Sequence, residues 1–211
     1  MSSSFPSLVH LQKQQSASAV ELLARAFKDD PFARYLRAGE ASDEASDPAP
    51  RLFSRCVRYS LLYGDVYTTP GLEGLSAWLP PGRSSMSLLG LARSGLLWTR
   101  CTLGRAAFRR FWRFLKLVEE LKRQVAPPRY WYLFLLVVDP AFQRQGLGDT
   151  LIRPGLERAD RDGLPCYLDT TKRENLEYYQ RHGFELAGHK VLPQDEVNVW
   201  AMQRPPQPSQ P

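Results

Sequence analysis

The sequence predicts one α/β domain in which helices pack against a sheet, and three observations support this fold class. Strand-like stretches and stretches with helical spacing of apolar residues occur in mixed order along the chain. Short turns containing Pro and Gly separate these stretches. The length of 211 residues and the hydrophobic content of 43% are enough for a substantial core. We therefore expect a single domain over residues 1–204 and a disordered, Pro-rich tail over 205–211.

The composition excludes several classes of protein. Charged residues make up 24% of the chain and aromatic residues 11%, which excludes wholesale disorder and collagen-like repeats. Cys56, Cys101 and Cys166 form no C-x-x-C pair, so we expect neither a disulfide framework nor a metal site. No charge-free apolar run approaches the roughly 18–20 residues of a membrane span. The N-terminus lacks a secretory signal, which favours a cytoplasmic protein.

The N-terminal part of the chain predicts helices followed by a pair of strands. Ser18 and Glu21 have capping-box spacing at the start of a helix, and Asp30-Pro31 interrupts that helix. The expected elements are, in order, a strand around Leu8–Leu11, a helix from Ser18, an acidic loop over 39–50, a helix over Arg51–Tyr63, and strands over Val66–Thr69 and Leu72–Leu79.

The C-terminal part predicts alternating strands and helices. Pro154 removes a backbone hydrogen bond and should kink the helix that contains it. Gly183 suits the left-handed position after a helix end. The expected elements are a strand over Trp131–Val138, a helix over about Leu147–Asp162, a strand over Pro165–Asp169, a helix over Glu174–His182, and strands over Phe184–Gly188 and Val197–Gln203.

Most of the net charge of +6 comes from residues 86–126, which predict two or three helices from about Ser87 to Val125. This basic segment has nine Lys or Arg against two Glu, with aromatic residues at helical spacing, and the rest of the chain is nearly balanced. Such helices can lie on an anionic membrane, bind nucleic acid, or present a solvated charged face over a packed aromatic face. The sequence leaves these alternatives open.

A Gly-containing turn follows the strand Trp131–Val138 and precedes a helix. Backbone N–H groups and the positive end of the helix dipole meet at such a turn, which suits a phosphate or pyrophosphate. Gly146 and Gly148 would allow an anion to approach the main chain closely, and Arg144 adds positive charge. The dinucleotide fingerprint is incomplete because Leu151 stands at its third Gly. A plain strand-to-helix connection is the alternative.

Two motifs in order resemble the GNAT superfamily of N-acetyltransferases. Gln143-x-x-Gly146-x-Gly148 after Val-Val-Asp-Pro is similar to the acetyl-CoA loop of that family. Asn175-x-x-Tyr178-Tyr179, followed by Gly183-Phe184, is similar to its second signature. The match covers roughly Trp131–Met202 and is most similar to the puromycin N-acetyltransferase branch. The residues shared with that branch are Gln145–Gly148, Arg153–Gly155, Leu168–Thr170 and Tyr179–Phe184.

The resemblance implies a mixed, mostly antiparallel sheet flanked by helices, with 86–126 as a helical insertion before the cofactor-binding strand. It implies that this strand and the next parallel strand splay apart, so that the pantetheine arm of acetyl-CoA pairs with the main chain of Leu136, Val137 and Val138. It also implies a contact between Asn175 and this arm. The residues expected to hold the pyrophosphate through their N–H groups are Arg144, Gln145, Gly146, Leu147, Gly148 and Asp149.

The resemblance further implies direct transfer of an acetyl group to an amine, with no metal and no covalent enzyme intermediate. Tyr179 would protonate the departing thiolate, and the N–H of Val138 would stabilise the tetrahedral oxyanion. Tyr178 and Tyr179 could instead be core aromatics, and Asn175 a helix N-cap. Asp169 could relay a proton or form a turn. The weaker candidates for the base are Asp29, Asp30 and Glu73.

The resemblance implies a small-molecule primary amine as acceptor, such as an aminonucleoside or aminoacyl compound, with 86–126 as an aromatic lid. We expect no nucleic-acid partner, and either a monomer or a homodimer. One alternative is acetylation of a protein or peptide amine. Another is a non-catalytic CoA-binding protein that uses its basic helices on a membrane or nucleic acid.

Overall fold

The computed structural model describes residues 7–38, 47–83, 102–192 and 197–208. The described strands are β1 (Val9–His10), β2 (Asp65–Thr68), β3 (Gly74–Leu79), β4 (Trp131–Val138), β5 (Cys166–Thr170), β6 (Glu185–Leu192) and β7 (Val197–Arg204). The α-helices are α1 (Ser16–Ala26), α2 (Pro31–Arg37), α3 (Pro48–Tyr63), α4 (Arg105–Val125), α5 (Leu147–Arg161) and α6 (Asn175–Arg181).

The strands form a single seven-stranded sheet with the order β1-β2-β3-β4-β5-β7-β6. Every neighbouring pair is antiparallel except β4 and β5, which are parallel. The connection between these two parallel strands contains α5, as a parallel crossover requires. The prediction of a mixed, mostly antiparallel sheet flanked by helices is confirmed.

The two parallel strands separate along their length. Their pairing runs from Trp131 opposite Cys166 to Leu133 opposite Leu168, whereas β4 continues to Val138 and β5 to Thr170. The pairing of β4 with β3 shifts at this point, so that Phe134 is an extra residue, a β-bulge, between the pairs on either side. A bulge bends its strand. The result is a wedge-shaped gap in the middle of the sheet.

The hydrophobic core has two layers, one on each face of the sheet. Helices α1 to α4 pack over one face around a cluster that includes Leu22, Leu52 and Tyr167. Helix α5 and α6 cover the other face around Trp78. A Cβ at Gly155 would lie 2.0 Å from the Trp78 ring, so this close crossing of α5 over β3 requires glycine.

The helical pattern is interrupted at Asp30-Pro31 as predicted, but the separate helix that begins there was not predicted, and the predicted N-cap at Ser18 is wrong. Asp30-Pro31 begins α2, because the Asp30 carboxylate accepts a hydrogen bond from the N–H of Phe32 at 2.9 Å and Pro31 occupies the first helical position. Ser18 is not an N-cap, because α1 already begins at Ser16. Helix α5 continues through Pro154 to Arg161, and Gly183 after α6 has the expected positive φ of 81°.

Several predictions fall on residues outside the described ranges. These are residues 1–6, most of the acidic loop (39–46), the part of the predicted helices and of the basic segment before 102, residues 193–196, and 209–211 of the tail. The described tail residues 205–208 have no regular structure, but the N–H of Gln207 donates to Asp160 of α5 at 2.8 Å. Among the described residues, no helix is long and apolar enough to cross a membrane.

Candidate active site

The loop between β4 and α5 has the geometry of an anion site. Gly146 is the residue before α5 and has a left-handed conformation with φ of 82°, and Arg144 also has a positive φ of 60°. Residues 143–146 are exposed, and α5 begins directly after them at Leu147. The N–H groups in the first turn of a helix lack helical partners, and the helix dipole makes this end positive. Gln145 and Leu147 flank Gly146 at this helix start.

The first turn of α5 packs closely against α6. A Cβ at Gly148 would lie 2.9 Å from the hydroxyl of Tyr178, so glycine permits this contact. The Tyr178 ring lies 4.8 Å from the ring of His182, whose Nε2 is 3.0 Å from Asp149 Oδ1. The Asp149 carboxylate is therefore turned toward His182.

The main chain of β4 faces the gap at alternate residues. The N–H of Asp139 donates to the carbonyl of Glu73 at 2.8 Å, on the β3 side. Because successive residues of a strand point to opposite sides, the main chain of Val138 and Leu136 faces away from β3, toward the gap. The main chain of Val137 faces β3. The Val138 carbonyl also accepts a hydrogen bond from Gln143 Nε2 at 3.1 Å.

A cavity of about 200 Å³ lies at the gap and is lined by residues from both faces of the sheet. The lining residues from the α5 and α6 face include Leu133, Leu136 and Tyr179. Those from the α1 to α4 face include Phe53 and Phe111. The separation of β4 and β5 thus joins the two sides of the sheet through one cavity.

The structure places Tyr179 and Asn175 of α6 at this cavity. Tyr179 is buried, and its ring lies 5.8 Å from that of Phe184. Burial raises the pKa of Tyr179 above its ordinary value of 10, so the phenol stays protonated at neutral pH. The Asn175 Nδ2 donates to Thr170 Oγ1 at 3.1 Å, which fixes the amide at the end of β5.

A polar network occupies the other side of the cavity. Asp169 accepts hydrogen bonds from the hydroxyls of Tyr132 at 2.9 Å and Tyr167 at 2.6 Å. Lys122 Nζ lies 2.9 Å from Glu119 Oε1 and 4.4 Å from the centre of the Tyr132 ring. Burial raises the pKa of Asp169, and the positive charge of Lys122 opposes this shift.

The structure separates the candidate bases into two groups. Asp30 and Asp169 line the cavity, whereas Asp29 and Glu73 do not. Asp30 accepts hydrogen bonds from Thr171 Oγ1 at 3.1 and 3.2 Å, and burial raises its pKa. Glu73 is instead hydrogen-bonded to Thr69 in the turn before β3.

Sequence reasoning missed Glu119, Lys122 and Tyr132 as cavity residues. The alternation of Tyr167 and Asp169 along β5 places both on one face of the sheet, and this pattern could have drawn attention to a polar site there. No local sequence pattern indicates that Lys122 lies at the cavity, because its position depends on where α4 packs.

Comparisons with known proteins agree with this geometry. Residues 91–184 match the sequence model of the acetyltransferase (GNAT) family. An uncharacterized N-acetyltransferase of Schizosaccharomyces pombe is 28% identical over 185 residues, which cover 86% of this chain and 75% of that protein.

Solved structures share the fold at low sequence identity. A structure from Corynebacterium glutamicum, described as histone acetyltransferase HPA2 and related acetyltransferase, has a TM-score of 0.64 at 21% identity and covers 98% of this chain and 99% of its own. Arylalkylamine N-acetyltransferase 2 from Aedes aegypti has a TM-score of 0.66 at 14% identity and covers 95% and 98%.

The sheet with its central gap, the loop before α5 and these matches define the GNAT fold. The matched family model and the N-acetyltransferase relative together support an activity of the GNAT N-acetyltransferase type. Enzymes of this type use acetyl-CoA and act on amines.

Proposed function

We propose that this chain transfers the acetyl group of acetyl-CoA directly to the primary amine of a small molecule. The observation that carries the proposal is the cavity that passes through the sheet at the β4–β5 gap. It brings an amine on the α1 to α4 face within reach of a thioester on the α5 and α6 face. Such an arrangement holds two reactants together, which is a large part of catalysis in a bimolecular transfer.

The described residues fit acetyl-CoA. Main-chain groups of Leu136 and Val138 face the gap, where they can pair with the amide groups of the pantetheine arm. The N–H groups from Arg144 to Asp149 and the dipole of α5 suit the pyrophosphate. Asn175 lies beside the gap at the end of β5, where its amide can contact the same arm.

The transfer forms one C–N bond and breaks one C–S bond. The neutral amine attacks the thioester carbonyl, and the N–H of Val138 stabilises the oxyanion that develops there. The thiolate leaves as the carbonyl re-forms, and the protonated phenol of Tyr179 supplies its proton. The amine nitrogen releases one proton to solvent and the Tyr179 phenolate takes one proton back from solvent, so the proton count balances. No metal and no covalent enzyme intermediate takes part in this proposal.

The walls of the cavity favour a small acceptor over a protein. Aromatic side chains from three helices close around the acceptor side, including Phe53, Phe111 and Phe114. A concave cavity whose walls are largely aromatic suits a small organic molecule better than an extended peptide. Aminonucleosides and aminoacyl compounds, as in the puromycin branch, are acceptors of this kind.

The proposal is tested by release of free thiol from acetyl-CoA with a panel of amines. The panel contains 2-phenylethylamine, puromycin, spermidine, free amino acids and a short peptide with a free N-terminus. We expect turnover with at least one small amine and little with the peptide. Turnover with the peptide alone would support protein acetylation instead. Tight CoA binding without thiol release for any amine would favour a non-catalytic CoA-binding protein.

Replacement of Tyr179 by Phe tests the role of the phenol. A general acid contributes roughly 10²-fold to the rate, so kcat should fall by about that factor while CoA affinity stays within about twofold. Tyr178→Phe is the matched control, because it removes the adjacent hydroxyl from the same helix. An unchanged kcat in Tyr179→Phe, or an equal loss in both variants, would remove Tyr179 from this role.

A further inference from the structure

The acceptor side of the cavity differs in charge from the rest of the chain. The net charge of the chain is +6, but the charged side chains among the described lining residues are Lys122 and three carboxylates. One of these carboxylates, Asp30, has a cation of its own, because Lys172 lies close enough to stabilise its charge. The other two, Glu119 and Asp169, share Lys122. Among the described residues, this part of the cavity therefore has one more carboxylate than it has cations.

The network holds this surplus negative charge in a fixed place. Asp169 is fixed by two tyrosine hydroxyls, and these use two of the roughly four sites at which a carboxylate accepts hydrogen bonds. The remaining sites are available to a further donor. A half-buried carboxylate that shares its cation with a second carboxylate is destabilised, and a bound cation would offset part of that cost.

Apolar side chains surround the charged network. Helix α4 contributes Phe111, Phe114 and Leu115, and α3 contributes Leu52 and Phe53. The ring of Phe114 lies 4.1 Å from that of Phe32 in α2, which closes this wall. A ligand that fits both the charged network and the apolar wall has a positive charge at one end and an apolar body.

We propose that the acceptor is an amphipathic cationic amine without a carboxylate, whose ammonium group is bound by Asp169 and whose apolar body lies against α3 and α4. This inference rests on the proposed function and names the class of its acceptor. The ammonium is recognised in its charged form and releases one proton to solvent water before the nitrogen attacks. A carboxylate beside the amine would meet the surplus negative charge, which disfavours amino acids.

Two substrates of nearly equal shape test the proposal. Phenylalaninol and phenylalanine have the same ring and amine but differ in a hydroxyl or a carboxylate. We expect kcat/KM of the wild-type enzyme to favour phenylalaninol by at least roughly tenfold, a ratio that corresponds to one unfavourable charge contact. Equal values, or a preference for phenylalanine, would overturn the proposal without any variant.

The variant Asp169→Asn assigns the discrimination to one side chain. It is nearly isosteric and should reduce the ratio to about threefold or less, mainly by lowering kcat/KM for phenylalaninol. Glu120→Gln is the matched control, because Glu120 neighbours Glu119 on α4 but pairs with Lys190 outside the cavity. A ratio that Asp169→Asn leaves unchanged would overturn the role of Asp169. Absence of thiol release with any amine would instead contradict the proposed function itself.

Discussion

In the proposed function, the two sides of the gap recognise their ligands with different parts of the chain. On the proposed cofactor side, the binding groups are chiefly main-chain amides of β4 and of the loop before α5, within the continuous segment from Leu136 to Asp149, together with the side chain of Asn175. On the acceptor side, they are side chains from helices α2 to α4, from the turn before α2 and from the strands, which are far apart in the sequence. The first site is built by local conformation and the second by tertiary packing.

This difference explains why one fold can keep its cofactor and change its acceptor. Main-chain amides are present whatever the side chains are, so the cofactor side depends chiefly on conformation and on a few glycines. Each residue of the acceptor wall can be replaced without disturbing the loop that precedes α5. Variants on the two sides should therefore affect different kinetic constants, and three experiments test this separation.

The largest effect is expected for Gly146→Val. A β-branched residue in the left-handed conformation costs about 1–3 kcal/mol, and its side chain would project where the pyrophosphate must approach the main chain. We expect CoA binding to fall below detection in a titration by calorimetry.

Gly163→Val is the control at the other end of the same helix. Gly163 also has a positive φ, 64°, and open space around its Cβ position, so the backbone strain should be similar. We expect both variants to lose similar stability but Gly163→Val to keep normal CoA affinity. Retention of CoA affinity in Gly146→Val would show that the pyrophosphate does not lie at this loop.

The same contrast between local conformation and tertiary packing explains which parts of the structure could be predicted from the sequence. The limits of β4 were predicted at Trp131 and Val138, and α5 and the glycine after α6 were found nearly correctly, because local patterns specify them. The gap was expected only from family resemblance, since it depends on the bulge at Phe134 and on the register of three strands.

The acceptor cavity was predicted least well for a physical reason. Lys122 and Asp169 are 47 positions apart in the sequence and come together because α4 docks on the sheet, where it contacts β6 and β7. Helix α2 was missed for a local reason. Asp30-Pro31 interrupts one helical pattern, but the same two residues also begin the next helix.

An intermediate effect, on stability alone, is expected for Asp160→Asn. Asp160 on α5 accepts two hydrogen bonds from Arg204, at 2.7 and 2.8 Å, and the Arg204 side chain is only 4% exposed. The variant leaves this guanidinium without its charge partner, which should lower the free energy of unfolding by about 2 kcal/mol. CoA affinity and kcat should not change, because this ion pair lies at the end of α5 away from the loop.

The pH dependence of the unfolding free energy tests whether the ion pair between Asp160 and Arg204 causes this loss of stability. Burial opposes ionisation of Asp160, but hydrogen bonds from Arg204 and Gln207 outweigh it and hold its pKa below the ordinary 3.8. The stabilisation is therefore complete above pH 3.8 and is lost as the pH falls through the lower folded-state pKa. Denaturant unfolding should show the difference between wild type and variant shrinking below pH 3.8. The exposed pair of Glu177 and Arg181 is the control, and Glu177→Gln should change stability by less than about 0.5 kcal/mol.

The smallest effect is expected for Phe114→Leu, which tests the acceptor side without touching a charge. Phe114 lines the cavity and packs on Phe32, so leucine keeps the site apolar but removes part of its aromatic wall. We expect KM for the amine to rise about threefold, with kcat and CoA affinity unchanged. Trp112→Leu is the matched control, because Trp112 is on the same helix but is 42% exposed and outside the cavity lining. A rise in the KM for acetyl-CoA instead would mean that the two sides of the gap are not independent.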